Sequence, residues 1–189
     1  MEDLNLFPTL ITKITDFINA EECAEIIKIC MHEDMQQHSA INGNGVSSHN
    51  RLNKNILDNI SIEIKDRLIK YLKEYKEKTG ISFDKLDNSW VSVQKKGSRL
   101  YKHTHPFSSI SGVFYLKVDE LSSPIYFYNP NPFISFTPII KNTEYTQSQI
   151  KVSPKIGDLL LFPSWISHGS DDAENGSNER IIISFNTIA

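Results

Sequence analysis

The sequence is poor in cysteine and carries no excess of basic charge. It contains two cysteines among 189 residues, and its formal net charge is −3. Cys23 and Cys30 lie seven positions apart in a predicted helix, where their Cα atoms are too distant for a disulfide, so we interpret both as small core residues. The weakly acidic balance gives no electrostatic indication of nucleic acid binding.

Long apolar runs are also missing, since none approaches the roughly 20 residues that a membrane-spanning helix needs. Met1–Thr12 lacks the basic region and apolar core that are typical of a signal peptide. Apolar residues make up 39% of the chain and charged residues 23%, which is the composition of an ordinary globular protein. We therefore expect a cytoplasmic protein with one domain over residues 1–189.

Residues 1–80 predict a strand and two helices. Loose alternation favours a strand over Leu6–Ile14. An Asn-led capping box at Asn19 opens a helix that runs to about Glu33, and a second apolar stripe predicts a helix from about Lys54 to Thr79. The polar stretch 36–55 between them predicts a loop and a candidate substrate lid.

Past Gly80 the hydrophobic period becomes strand-like, and residues 81–189 predict the main β body. The predicted strands are Ser89–Gln94, Leu100–His105, Ile110–Val118, Pro124–Tyr128, Gln149–Ser153, Asp158–Phe162 and Arg180–Asn186. Residues 129–149 are rich in Pro, Asn and Thr and predict a long excursion. Two helices followed by many short strands favour an α+β, mainly β fold with a sandwich or barrel as its body.

The most informative histidines are His103 and His105, which form an H-x-H pair in a predicted strand. Side chains two positions apart on a strand point to the same side, about 7 Å apart along the chain, so two imidazoles can converge on one metal ion. His168, which follows a predicted buried strand, is the best candidate for a third ligand. A surface pair and an unrelated core histidine fit the same spacing, which leaves both interpretations open.

Arg180 opens the last predicted strand and shares one face of it with Ser184. An arginine at the edge of an apolar strand is costly to bury without an anion. Its planar guanidinium matches a carboxylate through two hydrogen bonds. Arg180 and Ser184 therefore predict a seat for a carboxylate ligand, although a surface salt bridge at a strand end explains the same residues.

Together these segments resemble the iron(II)- and 2-oxoglutarate-dependent oxygenase superfamily, and most closely a group of its bacterial and phage proteins. The resemblance covers nearly the whole chain, beginning at Leu6–Thr9. Its other matching segments are Trp90–Gln94, Tyr101–Pro106, Ser111–Leu116, Gly157–His168 and Arg180–Asn186. The fold that it implies is a double-stranded β-helix, a relative of the jelly roll, with the N-terminal helices packed on it.

The resemblance also implies cofactors and roles for individual residues. Carried over, His103, His105 and His168 hold Fe(II), and Arg180 binds the outer carboxylate of 2-oxoglutarate. Ser184 or a tyrosine, either Tyr101 or Tyr115, adds a hydrogen bond to that carboxylate. The implied activity is hydroxylation of a small-molecule or amino-acid-like substrate.

The sequence departs from the superfamily pattern at His105, where the usual ligand is a carboxylate. We take His105 as the ligand, because it pairs with His103 on one strand. Asp171, Asp172 and Glu144 remain as alternative carboxylate ligands.

Three other functions stay open at this point. A cupin-like metal enzyme would not need Arg180 or 2-oxoglutarate. A non-catalytic jelly-roll module would hold a structural metal in a closed site or none at all. A nucleic-acid-modifying oxygenase would use the basic residues near Lys95–Lys102, which a solvated turn explains as well.

Overall fold

The computed structural model describes residues 2–3, 7–49, 55–170 and 172–189. It is mainly β, with two α-helices in the described part of the chain. The helices are α1 (Ala20–Cys30) and α2 (Ile62–Thr79). The strands are β1 (Thr12–Ile14), β2 (Ile41–Asn42), β3 (Gly45–Ser47), β4 (Lys85–Gln94), β5 (Arg99–Leu100), β6 (Ile110–Lys117), β7 (Ile125–Tyr128), β8 (Gln149–Val152), β9 (Leu159–Pro163), β10 (His168–Gly169) and β11 (Arg180–Ile188).

Local sequence signals explain where both helices begin and end. The predicted capping box of α1 is confirmed, because the Asn19 side chain accepts from the Glu22 N–H and the Glu22 carboxylate accepts from the Asn19 N–H, both at 2.9 Å. Helix α2 begins later than predicted, after Ser61, whose hydroxyl accepts from the Ile64 N–H. It ends at Gly80, whose φ of 73° suits glycine. Lys54 lies outside the described residues.

The strands form one six-stranded sheet and two smaller sheets. The large sheet has the antiparallel order β1-β9-β6-β11-β4-β3. A three-stranded sheet has the order β10-β7-β8, and β2 pairs with β5. The first strand is shorter than predicted and begins at Thr12, while Leu6 is outside the described residues. Strands β1 and β3, which come from the first 80 residues, thus join the large sheet. That the whole chain forms a single domain stays a prediction.

The two faces of the large sheet are covered by different layers. One face packs against α1 and α2 in an apolar cluster that includes Phe114, Ile183 and Phe185. The other face meets the three-stranded sheet in a second cluster that includes Phe162 and Phe127. Because both faces are covered, the central strands are apolar nearly throughout. Polar side chains on the face toward the three-stranded sheet therefore mark the candidate functional site. Neither described helix is long and apolar enough to cross a membrane.

Candidate metal centre

Three histidines meet between the large sheet and the three-stranded sheet. The ligand atoms of His103, His105 and His168 all lie within 4.8 Å of one another. The backbone holds two of them together, because His103 N–H donates to the His168 carbonyl at 2.9 Å and His168 N–H donates to the His103 carbonyl at 3.0 Å. The predicted grouping of these residues is therefore present in the structure, and the arrangement can hold a metal ion.

The pair His103 and His105 does not lie on the continuous strand that was predicted. Strand β5 ends at Leu100, and His103 then forms an isolated bridge with His168. His105 N–H donates to the Ser164 carbonyl at 3.0 Å. The backbone hydrogen bonds to His168 and Ser164 hold residues 103–105 extended. The two histidine side chains therefore point to the same side, as they would on a strand.

Backbone carbonyls fix the tautomers of two of the histidines. Nδ1 of His103 lies 2.7 Å from the Tyr101 carbonyl oxygen, and Nδ1 of His168 lies 2.9 Å from the Ile166 carbonyl oxygen. A carbonyl only accepts, so each Nδ1 carries the proton and Nε2 keeps its lone pair in the neutral ring. This is the usual preparation of a metal-binding imidazole.

Burial keeps the inner histidines neutral. Desolvation, with a smaller repulsion from His103, lowers the pKa of His105 to about 3. The same causes hold the pKa of His168 well below its usual value. Metal ligands must be deprotonated, so both rings are ready to bind a cation near neutral pH.

Arg180 lies on the face of the large sheet that meets the three-stranded sheet, and it is 4% exposed. Its Nη1 donates to the Gln94 side-chain oxygen, and its guanidinium lies 5.4 Å from the centre of the Tyr115 ring. In the described part of the chain, no carboxylate forms an ion pair with Arg180, and its Nε and the Tyr115 hydroxyl have no hydrogen-bond partner. Buried donors are normally satisfied, so these atoms form a seat that fits an anionic ligand.

A cavity of about 200 Å³ connects the histidines with Arg180. Ser184 and Tyr115 line it, whereas Tyr101 does not and is 47% exposed. Tyr101 contributes its carbonyl to His103 instead of its hydroxyl to the cavity. Tyr115 is therefore the tyrosine that lines the cavity, and the hydrogen bond from either tyrosine to a carboxylate stays a prediction.

The alternative carboxylate ligands stand apart from the three histidines. Asp172 is exposed and accepts a hydrogen bond from the Tyr128 hydroxyl at 3.1 Å, and Glu144 is exposed. Neither belongs to the metal-binding group found among the described residues. Asp171 lies outside those residues.

Two further histidines at the cavity were not predicted from the sequence. His38 and His49 line it, with His38 Nε2 lying 3.0 Å from His49 Nδ1. His49 packs edge-on against Trp90, with ring centres 4.6 Å apart. The only signal in the sequence was the polar stretch 36–55, which was predicted as a candidate lid. Of that stretch, residues between 38 and 49 line the cavity in the structure.

Comparisons with known proteins agree with this geometry. A family model described as "Putative 2OG-Fe(II) oxygenase" matches residues 88–186, the segment that carries the three histidines and Arg180. A search of curated proteins found no match.

Solved structures of similar fold come from several sources. A prolyl-4-hydroxylase from Pseudomonas putida is 12% identical with a TM-score of 0.66, covering 96% of this chain and 94% of its own. HygX from Streptomyces hygroscopicus with nickel and 2-oxoglutarate bound is 11% identical with a TM-score of 0.64, covering 95% and 82%. The viral collagen prolyl hydroxylase of Paramecium Bursaria Chlorella virus-1 is 16% identical with a TM-score of 0.57, covering 95% and 96%. At these identities the likeness is one of fold.

Proposed function

Because this chain belongs to the 2OG-Fe(II) oxygenase family, we propose that it is a hydroxylase that holds iron with His103, His105 and His168. The enzyme is a 2-oxoglutarate-dependent dioxygenase, and its cofactors are Fe(II) and 2-oxoglutarate. The observation that carries the assignment of ligands is the convergence of three histidine nitrogens within 4.8 Å. Imidazole suits iron, and three protein ligands leave positions for a cosubstrate and for O₂.

The fit of 2-oxoglutarate rests on Arg180. Its buried guanidinium has a donor without a protein partner, and the Tyr115 hydroxyl beside it is also unsatisfied. A carboxylate at this position accepts from both groups, and Ser184 lies on the same strand face as Arg180. An unpaired charge on the buried Arg180 is costly, and a carboxylate that accepts two hydrogen bonds from it removes that cost. This favours binding of the outer carboxylate of 2-oxoglutarate here.

When bound, Fe(II) and 2-oxoglutarate would supply the oxidation, in which 2-oxoglutarate and O₂ would yield succinate and CO₂ while one oxygen atom enters a substrate C–H bond. The protein supplies position and a dry cavity. The neutral imidazoles offer lone pairs without a competing proton. Arg180 and Tyr115 would orient the cosubstrate, and the apolar side chains of Phe162 and Ile182, which line the cavity, would help to keep water out of it.

We propose further that the core is a double-stranded β-helix of the jelly-roll type with both helices packed on its large sheet. The opposed six-stranded and three-stranded sheets support it. The cavity between them is small for a ligand site, which favours a small molecule or an amino-acid side chain as the substrate. HygX has also been solved with hygromycin B bound, and a Trichoplax adhaerens prolyl hydroxylase with a peptide.

A turnover assay tests this function without knowledge of the substrate. We expect the purified protein with Fe(II) and O₂ to convert 2-oxoglutarate slowly into succinate. His168→Ala should abolish this conversion because it removes one ligand. His32→Ala should leave it unchanged, since His32 is exposed and lies outside the cavity lining.

Two outcomes would contradict the proposal. Iron that binds while 2-oxoglutarate is neither bound nor consumed would favour a cupin-like metal enzyme. A protein that binds no iron would be left as a non-catalytic module.

A further inference from the structure

The turn that connects β9 with β10, formed by residues 163–168, holds two of the three candidate metal ligands. The Ser164 carbonyl accepts from the His105 N–H at 3.0 Å. Two residues further on, the Ile166 carbonyl accepts from Nδ1 of His168 at 2.9 Å. The position of this turn therefore decides where His105 and His168 lie relative to each other.

A serine hydroxyl joins the 163–168 turn to the large sheet. Oγ of the buried Ser164 lies 2.8 Å from Oγ of the buried Ser111 on β6. Ser111 has one hydroxyl proton, which it donates to Oδ1 of Asn186 on β11 at 2.7 Å. The proton between the two serines is therefore that of Ser164, so that Ser164 donates to Ser111 and Ser111 donates to Asn186.

These hydrogen bonds continue across the sheet. Nδ2 of Asn186 donates to Oδ1 of Asn88 on β4 at 2.9 Å. Asn186 lies opposite Asn88 on one neighbouring strand and opposite Ser111 on the other. Four side chains thus form one hydrogen-bonded row across the sheet, which we call the polar row: Asn88, Asn186, Ser111 and Ser164.

The polar row lies among strands that are otherwise mostly apolar and buried. A buried hydroxyl is unfavourable unless it is hydrogen-bonded, and a buried network whose members are satisfied is rigid. None of its four side chains lines the cavity, so that the row acts on the site through the 163–168 turn. Loss of the Ser111 hydroxyl would interrupt the row and leave the Ser164 hydroxyl and Oδ1 of Asn186 without this partner.

We propose that Ser111 is a positioning residue of the metal site, whose hydroxyl holds the 163–168 turn so that His105 and His168 bind one metal ion together. The inference rests on the proposed function, because it takes both histidines as iron ligands. Ser111 acts through Ser164 and the turn. Groups that orient metal ligands from behind contribute roughly 10-fold to 100-fold to metal affinity, because a shifted ligand no longer meets the ion at its preferred distance and angle.

Co(II) is the probe for this role, because its visible absorption bands report the geometry of its ligands. Competition with a chromophoric chelator measures the Co(II) affinity, and urea unfolding of the metal-free protein measures the stability of each variant. Ser111→Ala removes the hydroxyl in question. Ser177→Ala is the matched control, since Ser177 is also buried and its hydroxyl donates to the Asp119 carboxylate at 2.6 Å rather than to the polar row.

We expect Ser111→Ala to bind Co(II) about tenfold more weakly and to change the visible bands of the bound Co(II). Ser177→Ala should leave both unchanged, even though it is destabilised by the loss of a buried hydrogen bond to a charged group. Ser164→Ala removes the same hydrogen bond from its other end and should weaken Co(II) binding to a similar extent. The double variant of Ser111 and Ser164 should bind Co(II) about as well as either single variant, because the two residues act through one hydrogen bond.

The failure of this inference is distinguishable from the failure of the proposed function. If the wild type binds Co(II) and His103→Ala does not, but Ser111→Ala and Ser164→Ala keep the wild-type affinity and bands, the positioning role is overturned and the proposed function stands. Additive losses in the double variant, or an equal loss in Ser177→Ala, would overturn the positioning role as well. If Ser111→Ala does not fold, Ser164→Ala decides between these outcomes by itself. If the wild-type protein binds no Co(II), both proposals fall.

Discussion

At the scale of single residues, Arg180 is the most informative side chain of the site. Its buried guanidinium donates to Gln94, and the described residues offer it no carboxylate. Burial lowers its pKa, but an arginine remains charged under all ordinary conditions. Within the described part of the chain this buried charge has no carboxylate partner, so the carboxylate of a ligand can neutralise it.

Replacing Arg180 should therefore act on cosubstrate affinity. We expect Arg180→Met to weaken 2-oxoglutarate binding by about 3–5 kcal/mol, because one partner of a buried ion pair is lost. Arg180→Lys should bind 2-oxoglutarate with an affinity between those of the wild type and Arg180→Met, since lysine keeps the charge but lacks the planar guanidinium. Calorimetric titration of the Ni(II)-loaded protein measures these affinities.

The control for this prediction is Arg99→Met, which removes an exposed arginine that is paired with Glu174 at 2.8 Å. It should not change the affinity, because exposed ion pairs contribute little. Equal affinities of wild type and Arg180→Met would show that the cosubstrate carboxylate binds elsewhere.

The site residues differ in how far the sequence could predict them. His103 and His105 could be paired because their spacing is local, and Arg180 because a charge at an apolar strand needs an anion. His49 could not be assigned, since its place depends on a contact with His38 and on packing against Trp90, a residue 41 positions away. The tautomers of His103 and His168 likewise depend on backbone carbonyls that only the folded chain positions.

At the scale of elements, Gly112 lies in β6 where that strand pairs with β11 in the large sheet. The residue pairs with Phe185 across the strands, and the Phe185 ring covers the space where a Cβ on Gly112 would lie. That Cβ would also lie 3.0 Å from the Leu160 carbonyl oxygen. The glycine therefore permits a large aromatic ring beneath the floor of the cavity.

Gly112→Ala should destabilise the protein by about 1–3 kcal/mol through overpacking. Urea unfolding followed by fluorescence measures the free energy of unfolding. Phe185→Leu, a smaller side chain at the clash, should reduce the penalty of Gly112→Ala in the double variant. Strictly additive effects of the two substitutions would mean that the clash is not the cause.

Element boundaries follow the sequence where a cap or glycine defines them and deviate elsewhere. The Asn19 capping box and Gly80 mark the ends of helices as predicted. The segment after Leu100 was predicted as a strand because its residues alternate, but its backbone finds only isolated partners at His168 and Ser164. Alternation alone does not reveal whether a partner strand is within reach.

At the scale of the whole molecule, one face of the large sheet packs in the apolar core and the opposite face carries the candidate site. The helices and one face of the large sheet form an apolar layer, and the opposite face meets the three-stranded sheet around the histidines and Arg180. The sequence predicted a mainly β body with two helices. It could not predict which face of each apolar strand carries the cavity, because β9 is buried on both faces.

We propose that His103, His105 and His168 hold iron that 2-oxoglutarate then chelates. Anaerobic titration of the protein with Fe(II) and 2-oxoglutarate, followed through the visible charge-transfer band of the chelate, tests it most directly. We expect a band that saturates in the wild-type protein and is lost in His103→Ala, while His32→Ala retains it. Iron that binds without any band at saturating 2-oxoglutarate, or an undiminished band in His103→Ala, would contradict it.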